Sequence, residues 1–297
     1  MSENKIFFII NAKSGVSYHP AVEGRIVTAC SQLKIGCELQ FTQHRGHATE
    51  LATAALAAGY QRIVAVGGDG TVNETARALV GSNAALGILP KGSGNGLARH
   101  LGISMNFKKA LQQLLQSQTV AMDTLRINDQ VSINVSGVGF DGHVAAQFGK
   151  NGKRGFWSYL RIVVREYMRF QPFSFAMKPA HPAQPQPIFM LNFANASQFG
   201  NGARIAPEAS VRDGWMDVVA LPKLSLGHAL RLLGQSWLRK HDSRLAPHQH
   251  VRAATVELPT PMAYHIDGEP YPPAKNFYVE LLPQSLHVLI PRGVAQV

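Results

Sequence analysis

Residues 67–74 read Gly-Gly-Asp-Gly-Thr-Val-Asn-Glu and follow directly on an apolar run, Arg62-Ile-Val-Ala-Val66. Gly67, Gly68 and Gly70 let the backbone turn sharply and bring N–H groups close to an anion. Asp69 sets a carboxylate where a divalent cation would sit between phosphates. Thr71, Asn73 and Glu74 open a helix whose amino end favours negative charge. A strand, a glycine turn carrying an acid and a helix start together predict a polyphosphate site with magnesium.

Two further turns have similar chemistry. Asn11-Ala-Lys-Ser-Gly15 offers a glycine turn, a hydroxyl and an ammonium, all suited to phosphate oxygens. It lacks the Gly-x4-Gly-Lys-Ser/Thr spacing of a Walker A loop, and taken singly a plain turn accounts for it better. Lys91-Gly-Ser-Gly-Asn-Gly96 does not fit the dinucleotide fingerprint and could also be a simple strand-to-helix turn. Three such turns at successive strand ends are harder to dismiss. Towards the carboxyl terminus, Ile266-Asp-Gly-Glu269 delivers two acids around a glycine. One of them could serve as general base for a hydroxyl, while Asp-Gly is equally a hairpin signal. Asp213-Gly-Trp-Met-Asp217 is either a turn or a cation site built from one carboxylate and nearby carbonyls.

The elements that must position these residues change character along the chain. Up to residue 118, strand-like and helix-like segments alternate: strands at 5–10, 37–42, 63–66 and 86–89, helices at 22–33, 48–58, 72–80, near 96–101 and at 107–115. Such alternation predicts an open, largely parallel α/β sheet, with ligands beyond the carboxyl ends of its strands. The three glycine turns should therefore converge on one edge. After residue 118 strands dominate (131–135, 188–194, 216–221, 277–281), with helical stretches only near 156–170 and 226–239. We read domains at 1–122 and 123–284, the second β-rich, with a terminal strand at 285–290 that could pack on either.

Composition narrows the classes. A chain of 297 residues, 45% hydrophobic and 16% charged, is globular and suits two domains. Two cysteines are too few for a disulfide framework or zinc cluster and fit a reducing cytoplasm. No run approaches the roughly 18 apolar residues a membrane span needs. The net charge of +11 fits an anionic membrane surface, a phosphorylated ligand or nucleic acid, or solubility alone. No zinc-finger spacing or aromatic ribonucleoprotein motif favours nucleic acid. The twelve histidines show no metal-ligand spacing, and His241, His248 and His250 read as loop residues.

In order along the chain, the Asn11–Gly15 turn, the 67–74 motif, Gly92-Ser-Gly-Asn95, Asp213-Gly-x-x-Asp217 and Ile266-Asp-Gly-Glu269 resemble the diacylglycerol kinase catalytic-domain family. That family includes bacterial lipid kinases, sphingosine kinases and ceramide kinases. The resemblance implies an amino-terminal α/β nucleotide-binding domain, a carboxy-terminal β-sandwich and an active site in the cleft. It implies an ATP site made by Asn11, Ala12, Lys13, Ser14, Gly15, Thr42, Gly67, Gly68, Asp69, Gly70, Thr71, Val72, Asn73, Glu74 and Ser93. Glu269 matches the family's proton acceptor, with Asp267 as rival. Asp69 would help hold a catalytic magnesium, and a structural magnesium would take the Asp213 side chain with backbone oxygens of Ser210 and Trp215. Position 96 is Gly where bacterial diacylglycerol kinases usually carry Asp, a feature closer to sphingosine kinases, so the lipid stays open. NAD kinases share the glycine-acid motif and form the alternative enzyme; a catalytically silent lipid- or nucleotide-binding regulator is the alternative of another class.

A lipid substrate implies a cytoplasmic protein bound peripherally to a membrane. Residues 148–178 interleave aromatics with Lys and Arg, and 226–240 place Leu226, Leu230, Leu233 and Trp237 at helical spacing. Either segment could dock on anionic headgroups, although packing on the sandwich explains each somewhat better. Oligomeric state is left open, a homodimer included.

Overall fold

The computed structural model describes residues 5–14, 21–150, 156–184, 186–225, 227 and 247–294. Its first elements are β1 (Lys5–Ile10), α1 (Ala21–Gln32), β2 (Gly36–Phe41), α2 (His47–Ala57), β3 (Arg62–Gly67), α3 (Asp69–Leu79), β4 (Ala85–Pro90), α4 (Gly96–His100), α5 (Phe107–Leu115) and β5 (Gln118–Ile127). Then follow β6 (Gln130–Ser132), β7 (Val135–Gly139), α6 (Phe140–Lys150), α7 (Phe156–Arg169), β8 (Ala176–Lys178), β9 (Met190–Ala194), β10 (Gln198–Gly200) and β11 (Ala203–Arg204). The chain closes with β12 (Met216–Leu221), β13 (His248–Val251), β14 (Ala253–Ile266) and β15 (Glu269–Ile290). Two units result, one of Met1–Asp123 with Pro283–Val297 and one of Thr124–Leu282.

In the first unit, β2, β1, β3 and β4 pair side by side, all parallel. β4 is buried along its whole length and β1 and β3 almost so, which is why their sequences are apolar runs and not alternations. Helices cover both faces, α2 packing with α3 and α1 with α5. The end of β15 joins as a further parallel strand, His287 opposite Ala85 and Val288 opposite Leu86. This strand was assignable to either domain from sequence; the ladder is with β4. The helix expected from residue 72 starts three residues earlier, because Gly68 in extended backbone is its N-cap and Asp69 lies in its first turn.

In the second unit the strands are mainly antiparallel, ordered β13-β12-β9-β7-β14-β15. Leu125, Val138, Phe193, Val218, Val256 and Phe277, each from a different strand, meet in one core, so the sheet folds over itself as a sandwich. The opposite face of β9 and β12 is covered by a second cluster that includes Val219, Leu221, Ile205 and Ala209. β5 and α6 carried no clear sequence signal. α6 contains Gly142 and Gly149, which weaken a helical pattern, and its place is set by packing on β7 and β14. Apart from residue 227, the expected helix at 226–239 lies outside the described residues, as do Gly15 and His241.

Candidate functional site

The glycine turns lie at the carboxyl ends of three adjacent strands. β2 and β3 flank β1 on opposite sides, the switch point at which open α/β sheets bind ligands. The Asn11 N–H donates to the Val66 carbonyl at 3.0 Å and its Nδ2 to Thr71 Oγ1 at 3.0 Å, which ties the first turn to the second. The Lys91 N–H donates to the Gly67 carbonyl at 2.7 Å, which ties the second to the third. Gly68 and Gly92 touch backbone to backbone: a Cβ on Gly92 would stand 2.6 Å from Gly68 Cα. No side chain fits at Gly92, so the closeness of the two turns requires glycine there; a Cβ on Gly68 would be tight, 3.2 Å from Gly92 Cα. Asn95 has left-handed backbone (φ 52°) and folds its side chain onto Gly92, accepting the Gly92 N–H at 3.0 Å and donating to the Gly92 carbonyl at 2.7 Å.

Two acids of the 67–74 motif point at helix starts. Asp69 accepts the Asn95 N–H on Oδ2 at 2.8 Å and the Gly96 N–H on Oδ1 at 2.7 Å, so its carboxylate meets the first main-chain donors of α4. Glu74 accepts the Gly46 N–H at 2.9 Å and the Ala48 N–H at 3.2 Å, while Thr49 Oγ1 donates to the Glu74 carbonyl at 2.7 Å. This supplies α2 with the capping acceptor that its own N-cap, Gly46, lacks. Lys91 is half-buried, and burial holds its ammonium below the usual lysine range.

In the second unit, Asp267 and Gly268 form the two-residue hairpin between β14 and β15, with φ of 50° and 87°, as a type I′ turn requires. The Asp267 carboxylate is buried and accepts three hydrogen bonds, from Ser132 Oγ at 2.8 Å, Ile133 N–H at 2.8 Å and Asn134 N–H at 3.0 Å. It organises the connection between β6 and β7. Glu269 is half-buried, opens β15 and pairs with Ile266 in the ladder. His265 supports the turn: its Nδ1 accepts the Gly268 N–H at 3.1 Å, which leaves the proton on Nε2, 3.1 Å from Asp141 Oδ2. Asn192 Nδ2 donates to the same Asp141 oxygen. The Asp213 turn is tight and exposed, with Gly214 at φ 76° and the Trp215 N–H donating to Asp213 Oδ1 at 3.0 Å.

Family models match most of the chain: "Diacylglycerol kinase catalytic domain" over residues 5–127 and "YegS C-terminal NAD kinase beta sandwich-like domain" over residues 134–290. The chain belongs to the diacylglycerol kinase catalytic-domain family. Membership makes it a phosphotransferase of the lipid kinase class. Among relatives of this family, a Pseudomonas putida protein named "Probable lipid kinase YegS-like" is 31% identical over 86% of each chain. A Chromohalobacter salexigens protein of the same name is 28% identical over 97% of this chain and 94% of its own. A crystal structure of a Bacillus anthracis diacylglycerol kinase superposes with a TM-score of 0.80 at 21% identity, covering 99% of this chain and all of that one. At that identity the likeness is one of fold.

Within this diacylglycerol kinase fold, the residues expected at the nucleotide fall into distinct places. Asn11, Gly67, Gly68, Asp69 and Thr71 are joined by the contacts above, and Ser14 is buried with its Oγ 3.3 Å from the position a Gly68 Cβ would take. Thr42 follows β2 and its N–H donates to Ile10 at 3.0 Å. Lys13 and Ser93 are exposed, Ala12 and Gly70 half-buried, Val72 and Asn73 buried within α3. Sequence reasoning did not assign roles to Asn95, Asp141 or His265. Only their long-range partners reveal them, although the asparagine before a helix start was a visible hint.

Proposed function

We propose that the protein is an ATP-dependent lipid kinase that moves the γ-phosphoryl group to the hydroxyl of a membrane lipid, diacylglycerol-like or sphingoid. The observation that carries this reading is the joining of three glycine turns at the ends of β1, β3 and β4 by Asn11–Thr71, Lys91–Gly67 and Asp69–Asn95. Main-chain N–H groups in such turns suit phosphate oxygens, and Lys91 and Lys13 add positive charge. ATP supplies the phosphoryl group when bound, and magnesium offsets its charge.

The donor sets fit those groups. Asp69 accepts two main-chain N–H groups at the start of α4, and a carboxylate is the kind of oxygen ligand that magnesium takes. The Asp213 carboxylate with the carbonyls of Ser210 and Trp215 is an all-oxygen set suited to magnesium. Between the rival bases, hydrogen bonding favours Glu269 as the group that accepts or orients the lipid hydroxyl proton. Asp267 has both oxygens committed to the β6–β7 connection.

A membrane-facing surface is supported on α7. Ile162 and Glu166 are buried, while Val164 (63% exposed) and Met168 (77%) stand among the exposed Arg161, Arg165 and Arg169. Apolar side chains ringed by guanidinium groups suit an anionic headgroup layer. No helix among the described residues is long and apolar enough to cross a membrane. Incubation with γ-labelled ATP and a total lipid extract, resolved by thin-layer chromatography, should yield a labelled lipid. Label passing to NAD, or to nothing across lipid classes, would replace this reading by an NAD kinase or a silent binding protein.

A further inference from the structure

Among the described residues β13 is the outermost strand on its side of the second unit's sheet, and its register on β12 sets His250 opposite Asp217 and His248 opposite Val219. Residues two apart on a strand share a face, so His248, His250 and Asp217 lie together. Both histidines, read from sequence as loop residues, are therefore strand residues held against a carboxylate. His250 Nε2 is 2.9 Å from Asp217 Oδ1, and the two imidazole rings are 5.4 Å apart. One ligand atom from each of the three lies within 4.8 Å of the others.

Burial is graded across the group. Asp217 is 5% exposed, His248 is half-buried and the His250 side chain is half exposed. Burial holds the Asp217 carboxyl above the ordinary carboxylate range, opposed by the two histidines and reinforced by Asp213. A single imidazole would suffice as partner for one carboxylate; here a second stands beside it on the same face. Ligand atoms around a tetrahedral zinc stand about 3.3 Å apart, so a bound ion would draw the three groups closer than the 4.8 Å within which they lie.

We propose that Asp217, His248 and His250 form a three-ligand site for a zinc-type transition-metal cation, separate from the all-oxygen turn at Asp213. Two neutral imidazole nitrogens and one carboxylate select zinc, cobalt or nickel over magnesium. Three protein ligands leave a fourth position to water. The ion would pin the edge strand β13 to β12, across a ladder that spans only four residue pairs.

The test uses the full chain, stripped with a chelator, dialysed and titrated with Co2+ while visible absorption is followed. One Co2+ per chain is expected, with absorption bands of a four-coordinate nitrogen/oxygen site. Zn2+ should displace it and millimolar Mg2+ should not. His248→Ala and His250→Ala should each weaken Co2+ binding about 100-fold or more, beyond the 10–100-fold that follows loss of an outer-shell partner. Asp213→Asn should leave binding intact, as should His44→Ala, which breaks the exposed His44–His47–Glu50 group at the start of α2. Zn2+ should raise the melting temperature of the wild type and not of the folded H248A/H250A double variant. Absence of stoichiometric Co2+ on the wild type, or binding indifferent to both histidines, would overturn the site.

Discussion

The glycine turns of the first unit and the Asp267 corner of the second use one device to different ends. In both, a carboxylate gathers main-chain N–H groups. In the first unit, Asp69 and Glu74 reach across to the starts of α4 and α2, so the acids of one motif hold two other segments in place. In the second, Asp267 turns inward onto Ser132, Ile133 and Asn134, and Glu269, two residues on, opens the next strand. An acid in a functional motif can therefore serve the scaffold. Its hydrogen-bond donors, more than its place in the motif, distinguish the two roles.

The largest break in this comparison should come from Glu269→Gln. Loss of a general base costs about 10²–10⁴ in rate, so lipid phosphorylation should nearly vanish while calorimetry finds ATP affinity unchanged. Turnover near normal would return the role to Asp267. Asp267→Asn should act on stability instead. It exchanges a carboxylate that accepts three donors for an amide with one accepting oxygen, and an unsatisfied buried group costs about 1–3 kcal/mol. Denaturant unfolding should show a loss of about 3 kcal/mol; an unchanged midpoint would mean that the corner tolerates the exchange.

Gly92→Ala probes the contact between turns. Its methyl would meet the Gly68 backbone at 2.6 Å, and overpacking of this kind costs about 1–3 kcal/mol. Besides lost stability, a raised KM for ATP is expected, and a KM equal to the wild type's would detach the contact from the nucleotide. Asp69→Asn sharpens the dual role assigned to that acid. It should cost about 1 kcal/mol through α4 and also raise the magnesium needed for half-maximal rate. A stability loss with an unmoved magnesium titration would leave Asp69 to the helix alone. Glu74→Ala should have the smallest effect, about 1 kcal/mol from the uncapped α2, with kcat and KM near wild type.

Much of the first unit was legible because its signals are local. Apolar runs bounded by glycine turns mark parallel strands, and β1, β3 and β4 lie within a residue or so of the expected spans. β5 and α6 were not legible, since β5 gains its place by pairing with β15 and β6, and α6 by packing on β14. The Asp-Gly pair at 267 had two readings from sequence. The hairpin is realised, and the carboxylate beside it does further work that a tetrapeptide cannot reveal. The histidines misled for the same reason: His248 and His250 acquire meaning only from Asp217, 31 residues before the first of them.

The amino-acid sequence by itself determined where the backbone turns sharply, which segments are buried on both faces and which family the motifs resemble. Each follows from the dihedral freedom of glycine, from hydrophobic spacing and from residue order. Tertiary structure alone decided which acid caps which helix, that the last strand runs beside β4, and that a carboxylate lies under two imidazoles at a sheet edge. Those outcomes depend on hydrogen bonds and strand registers between residues far apart in the chain, whose geometry no local window contains.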